Sequence, residues 1–164
     1  MSSDQSPQPP VLPPRDLLEF LFGDLFRLLF GFQGRLNRAK YWAAMALAGV
    51  AELFLAGVVW ANAQGVNPAF PIVEIVIVVL LPGLLSFVAI SVRRLHDRKK
   101  SGWWLLLFYV LPAVISRFAS AAGTAGGYVL GLVILALSIW ALLELGVLGG
   151  SAGPNDYGPD PLAR

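Results

Sequence analysis

The chain has 164 residues, the size of one domain, yet 57% of them are apolar and only 13% are charged. Four mostly apolar runs of about 20 residues each match the ~30 Å hydrocarbon core of a bilayer, and a soluble fold has too little interior to hide them. The net charge of +2 gives no reason to expect a nucleic acid partner, and the absence of cysteine excludes disulfides, thiolate nucleophiles and thiolate metal sites.

Residues 1–15 are polar and proline-rich, with Pro7, Pro9, Pro10, Pro13 and Pro14. They are expected to form a disordered tail, since they bury too little apolar surface to offset the entropy of ordering. They lack the basic start and short apolar core of a cleavable signal, so the first span is expected to act as the insertion signal. Over 16–32, DLLEFLFGDLFRLLFGF places Leu17, Leu21, Leu25, Leu28 and Phe32 at spacings of three and four. Asp16, Glu19, Asp24 and Arg27 are too many charges for a span, which leaves an interfacial helix lying on the bilayer or an amphipathic helix packed on the bundle.

GRLNRAKYW, Gly34 to Trp42, is a basic and aromatic boundary: Arg35, Arg38 and Lys40 can reach headgroup phosphates while Tyr41 and Trp42 suit the interface. The first span then runs over about 41–60. Its one acidic residue, Glu52, lies about 16 Å along the helix from Tyr41, near mid-depth, where an ionised group is costliest. The turn-rich stretch from Ala61 to Pro71 carries no charge and leads to the second span, 72–92, with Glu74 at its start and a kink expected at Pro82. The third span, 103–122, contains Pro112 and, late in it, Arg117. Gly123 to Gly127 are expected to form a turn, and the fourth span, 128–148, is broken only by Glu144 near its end. Residues 151–164 have the Gly, Pro, Asn and Asp content of an irregular tail.

Between the second and third spans lies the polar island RRLHDRKKSGWW, Arg93 to Trp104, with five of the twelve basic residues, the only histidine and two of the five tryptophans. Five more basic residues precede the first span, the first connection has none and the third has at most Arg117. Positive charge collects on the cytoplasmic side, so the island and both termini are expected there. Each basic segment ends in lysine and aromatics before an outgoing span, which fits either two similar hairpins or the same interface rule used twice.

Three of these segments, GRLNRAKYW, VRRLHDRKKSGWW and GPNDYGPDP, resemble the signature segments of the bacterial membrane family known as domain of unknown function 805. The resemblance covers about Phe30 to Pro161 and implies a small polytopic inner-membrane protein whose activity is not established. Two positions depart from the pattern. Family members commonly have a small residue, often glycine, after the His-Asp pair, where this chain has Arg98, Lys99 and Lys100. A basic residue usually follows the Asn of the last motif, where this chain has Asp156.

No catalytic or metal constellation is visible. A metal site needs three or four convergent ligands, which one histidine and no cysteine do not readily supply, and no cofactor motif is present. His96 and Asp97 are adjacent, so on a helix they point about 100° apart; Asp97 is better placed to pair with Arg93 or Arg94. The cluster of Arg93, Arg94, Arg98, Lys99 and Lys100 serves topology, headgroup phosphates, or both. Glu144 lies at a depth from which it could reach Arg93; Glu52 is either a neutral hydrogen-bonded carboxyl or part of a proton or cation relay.

The sequence therefore predicts an all-α polytopic membrane protein, with an amphipathic interfacial helix preceding four transmembrane helices within 16–150, in the bacterial inner membrane. Its expected function is non-enzymatic: a cytoplasmic rim of Arg35, Arg38, Arg93, Arg94, His96, Asp97, Trp103 and Trp104, with Trp42 as a further aromatic anchor, would engage anionic phospholipid, a partner membrane protein or a second copy of the chain. The alternative is a small transporter or channel subunit built around Glu52, with Pro82 and Pro112 lining its path and Glu144 as the second intramembrane carboxyl.

Overall fold

The computed structural model describes residues 17–63, 73, 75–119 and 121–163. The tail expected over 1–15, most of the first connection and Glu74 lie outside the described residues. The regular structure among the described residues is helical, apart from one isolated antiparallel bridge between Asn155 and Gly158. Helix α1 is Leu17–Phe30 and α2 is Arg38–Ala63. Helix α3, Leu81–Asp97, continues a π-helical segment, Ile75–Leu80. Helix α4, Leu111–Ala119, continues a second, Leu106–Val110, and α5, Gly123–Leu142, runs into a third, Leu143–Val147.

Three helical stretches are long and apolar enough to cross a membrane: Arg38–Asn62, Val76–Asp97 and Gly123–Val147. The segment expected as the third span is represented by a shorter apolar helix, Leu106–Ala119, about 21 Å long at 1.5 Å per residue. The disturbance expected at Pro82 takes the form of a wide turn. Proline supplies no N–H and its ring crowds the preceding turn, and the π segment Ile75–Leu80 ends just before it. Pro112 follows the π segment Leu106–Val110 in the same way.

Helix α2 begins where Asn37 caps it. The Asn37 Oδ1 accepts from the Lys40 backbone N–H at 2.9 Å, and its carbonyl accepts from Tyr41 N–H at 2.8 Å. Helix α1 keeps Phe22 and Phe26 exposed, while Leu28 and Leu29 near its end pack against the core. That core is concentrated at one end of the bundle, where Leu36, Tyr41, Ala44, Ile90, Leu95, Phe108 and Leu145 are buried together. Farther along the helices, Leu53 is 75% exposed, Phe54 70% and Tyr128 73%. So much apolar exposure is untenable in water and is what a lipid-facing surface presents.

Candidate functional site

Helix α3 delivers the polar island to the packed end of the bundle and stops there by a specific device. Lys100 N–H donates to Leu95 O at 2.9 Å and Lys99 N–H to His96 O at 3.1 Å, with Lys99 in the left-handed region at φ 58°. This is the Schellman arrangement, with lysine where glycine is usual. It turns the chain back so that Arg98 and Lys100 face α5.

Arg93 and Arg94 are neighbours about 100° apart on α3, and they serve two different helix ends. Arg93 Nη2 donates to the carbonyl of Leu28 near the end of α1. Arg94, with 0% side-chain exposure, donates from Nε to Leu145 O at 2.8 Å, from Nη2 to Leu148 O, and from Nη1 to Asp97 Oδ2 at 2.6 Å. Asp97 is therefore paired with Arg94, the nearer of its two expected partners by one residue. Its other oxygen, Oδ1, accepts from Arg35 Nε at 3.1 Å and Nη2 at 3.0 Å, a partner 62 residues away.

The end of α5 receives most of these donors. Five successive carbonyls, Leu145 to Gly149, accept from side chains elsewhere: Arg94 on Leu145 and Leu148, Trp42 Nε1 on Gly146 at 3.0 Å, Arg38 Nη1 on Val147 at 3.4 Å, and Arg98 Nη1 on Gly149 at 2.6 Å. The last carbonyls of a helix have no partner within it and form the negative end of its dipole, so cationic donors fit them on both counts. Glu144, one residue before this run, accepts from Arg98 Nε at 3.1 Å and Lys100 Nζ at 2.9 Å. The expected approach to Arg93 is not made, because Arg93 is turned toward α1. Lys100 Nζ also lies 4.0 Å from the centroid of the Trp104 ring, close enough for a cation–π contact. Two glycines make the close approach feasible. A Cβ on Gly146 would fall 2.6 Å from Trp42 Cζ2, and one on Gly150 would lie inside the Asp97 carboxylate.

The C-terminal segment, expected to be irregular, closes over this assembly. Ser151 N–H donates to Asp97 O at 2.8 Å, and Arg35 donates to Ser151 O at 2.5 Å and Gly153 O at 2.6 Å. Asn155 Nδ2 donates to His96 O at 3.0 Å while its Oδ1 accepts from Tyr157 N–H at 2.9 Å, which sets Tyr157 over His96. The two rings stack 3.9 Å apart and 5° from parallel. His96 Nδ1 faces the Gly34 carbonyl at 3.2 Å. His96 and Asp97 thus have separate partners. The Asp160 carboxyl is held below its ordinary value by the backbone N–H groups of Leu162 and Gly153. That bonding stabilises the tail above the unfolded carboxyl range, near about 3.9, and is lost as the pH falls through the lower folded value.

Of the residues singled out from sequence, Arg35, Arg38, Arg93, Arg94, His96, Asp97 and Glu144 meet in this one assembly. Trp103 stands outside it, 77% exposed, while Trp104 packs edge-on against Trp140. Glu52 is remote: it lines a cavity of about 560 Å³ between α2 and the junction of the π segment with α3, its carboxyl against Gly83. Sequence reasoning did not single out Ser151, Asn155 and Tyr157, although the motif GPNDYGPDP contains two of them. Among the described residues, no group of three or more His, Asp and Glu side chains is placed to hold a metal ion.

Most of the chain resembles known proteins. The chain is 33% identical over 136 residues to the uncharacterized protein YiiR of Escherichia coli, covering 80% of this chain and 86% of that one. It is 30% identical over 139 residues to the E. coli inner membrane protein YhaH, covering 80% and 87%. A third relative, the E. coli inner membrane protein YhaI, is 30% identical over 100 residues, 58% of this chain and 79% of its own. No solved structure gives a significant match. A family model described as protein of unknown function (DUF805) matches residues 29–159, from the carbonyl end of α1 through the tail that closes over Asp97, and the chain belongs to that family.

Proposed function

We propose that this protein is a non-enzymatic module of the bacterial inner membrane. It crosses the bilayer four times, with both termini and the island in the cytoplasm, and its cytoplasmic rim binds anionic phospholipid headgroups. The observation that carries this reading is a division of labour among the basic residues. Arg35, Arg93 and Arg94, with His96 and Asp97, are buried or half-buried in the assembly, whereas Lys40 and Lys99 are exposed around it and Arg38 is exposed at its edge, where it also reaches the Val147 carbonyl. Exposed Trp42 and Trp103 supply rings suited to the headgroup level. The buried group is a platform, and the exposed group is the surface that meets phosphates. The relatives named as inner membrane proteins support the compartment, and the placement of all basic residues but Arg117 on one side supports the orientation.

Each exposed basic group near an anionic leaflet contributes about 1 kcal/mol, so three together amount to a preference on the order of 100-fold. Native mass spectrometry of the protein released from mixed phosphatidylglycerol and phosphatidylcholine nanodiscs reads this directly. The wild type should retain phosphatidylglycerol, and the triple variant Arg38→Gln, Lys40→Gln, Lys99→Gln should lose it. Equal retention by both would remove the rim reading.

The cavity at Glu52 favours a second reading, a small transporter, in which Glu52→Gln abolishes a proton or ion flux in proteoliposomes. An unchanged flux would end it.

A further inference from the structure

The Glu52 cavity differs from the rest of the bundle in having one charge and no internal partner for it. Among the described residues Glu52 is the only ionisable one lining it, and no hydrogen bond or ion pair joins Glu52 to another described residue. The carboxyls of Asp97, Glu144 and Asp160 are held by cations or backbone N–H groups; this one is set among apolar side chains. Its position is nonetheless built. A Cβ at residue 83 would fall 2.8 Å from the Glu52 Cδ and 2.9 Å from Oε2, so the carboxyl occupies the space that glycine leaves beside α3.

The opening faces lipid. Leu53, Leu80 and Leu84, on the rim, are 75%, 58% and 59% exposed. The volume, about 560 Å³, lies within the range of about 300–1,000 Å³ typical of small-molecule sites. An apolar chamber entered from the bilayer, with one acidic group near mid-depth, is complementary to a ligand that is itself apolar and carries one positive charge. At that depth a carboxylate is costly unless paired, and a cation dissolved in the membrane supplies the pair without leaving it.

We propose that the cavity between α2 and α3 is a binding site for a lipophilic organic cation, with Glu52 as its counter-ion and Gly83 as the residue that makes room for the carboxyl. The site takes Glu52 from the transporter reading but requires binding alone, so flux and binding fail separately.

The probe is tritiated tetraphenylphosphonium, titrated against the full chain in phosphatidylcholine nanodiscs, with empty nanodiscs subtracted. The wild type should bind it saturably, at one per chain. Glu52→Gln should weaken binding at least tenfold. Gly49→Leu tests the same space without relying on that variant: Gly49 lines the cavity and a Cβ there meets nothing within 4 Å, so leucine fills the chamber without a backbone clash. It should abolish binding. Full binding by Gly49→Leu, or by Glu52→Gln that elutes as a single folded species, overturns the site. No saturable binding by the wild type also overturns it, including the case in which a second copy of the chain fills the cavity and Gly49→Leu dissociates a dimer. Binding without flux leaves the site standing and removes only the transporter reading.

Discussion

Arg94 and Asp97 at one end of the bundle are almost wholly buried, and between them they bond to α3, the end of α5, Arg35 and the C-terminal segment. Toward the opposite end the helices expose Leu53, Phe54, Val129 and Leu132, and Glu52 lies without a charged partner among the described residues. The contrast follows from the solvent. Lipid tails are as apolar as leucine, so bringing two leucine faces together in a bilayer gains little, and polar bonds and close packing must fix the arrangement. Here the fixing is concentrated where the chain leaves the hydrocarbon. There, donors from the segment before α2, from α2 itself and from α3 with the turn after it meet five consecutive carbonyls of one helix end and the acidic side chains beside it.

The strongest way to break this contrast is to remove the acceptor that two guanidinium groups share. Asp97→Asn keeps the shape but leaves Arg35 and Arg94, with side chains 1% and 0% exposed, facing each other without a carboxylate. Breaking a buried pair from one side costs about 3–5 kcal/mol. Unfolding in mixed micelles, followed by tryptophan fluorescence, should show a destabilisation of that order. The double variant Arg35→Gln, Asp97→Asn should recover part of it by removing one stranded charge. A loss below about 1 kcal/mol would mean that the polar assembly does not hold this end together.

The parts of this architecture legible in the sequence are those that depend on local spacing. The apolar runs gave the long helices, and Asp97 three residues after Arg94 predicted an ion pair within a helix. The contacts that assemble the site join distant elements, and spacing carries no information about them: Arg35 with Asp97, Arg98 and Lys100 with Glu144, Asn155 with the His96 carbonyl. Glu144 was expected to reach Arg93 from depth alone, but adjacent arginines diverge on a helix and the Schellman turn brings Arg98 and Lys100 there first. The π segments were also hidden. Two precede prolines that were visible, but the third, Leu143–Val147, has no such marker and is bonded on its carbonyls by side chains of three different residues. The composition of the tail argued for irregularity, which is correct for its backbone and silent about its bonds.

A smaller effect of opposite sign sharpens the contrast from within the polar end. Lys99 occupies the left-handed position of the Schellman turn, which costs a residue with a Cβ about 1 kcal/mol. Glycine relieves that strain, offset in part by the freedom it gains in the unfolded chain. Lys99→Gly should therefore stabilise the protein by up to about 1 kcal/mol in the same unfolding measurement. A destabilisation would show that the Lys99 ammonium contributes more than its backbone costs.

The smallest effect belongs to the other end. Phe54 is 70% exposed on α2, in the stretch that faces lipid. In a soluble protein, truncating a large aromatic packed in the core removes about 3–5 kcal/mol, because a void is left where the ring packed. Here acyl chains surround the ring in the folded state and in the unfolded helices alike, so truncation weakens the two states by nearly the same amount. Phe54→Ala should change unfolding by no more than about 0.5 kcal/mol, the range of an uncoupled surface substitution. A loss of about 2 kcal/mol or more, approaching the cost of a core truncation, would identify the Phe54 face as packed against protein. The first check would then be whether the loss grows with protein concentration, as a contact between two copies requires.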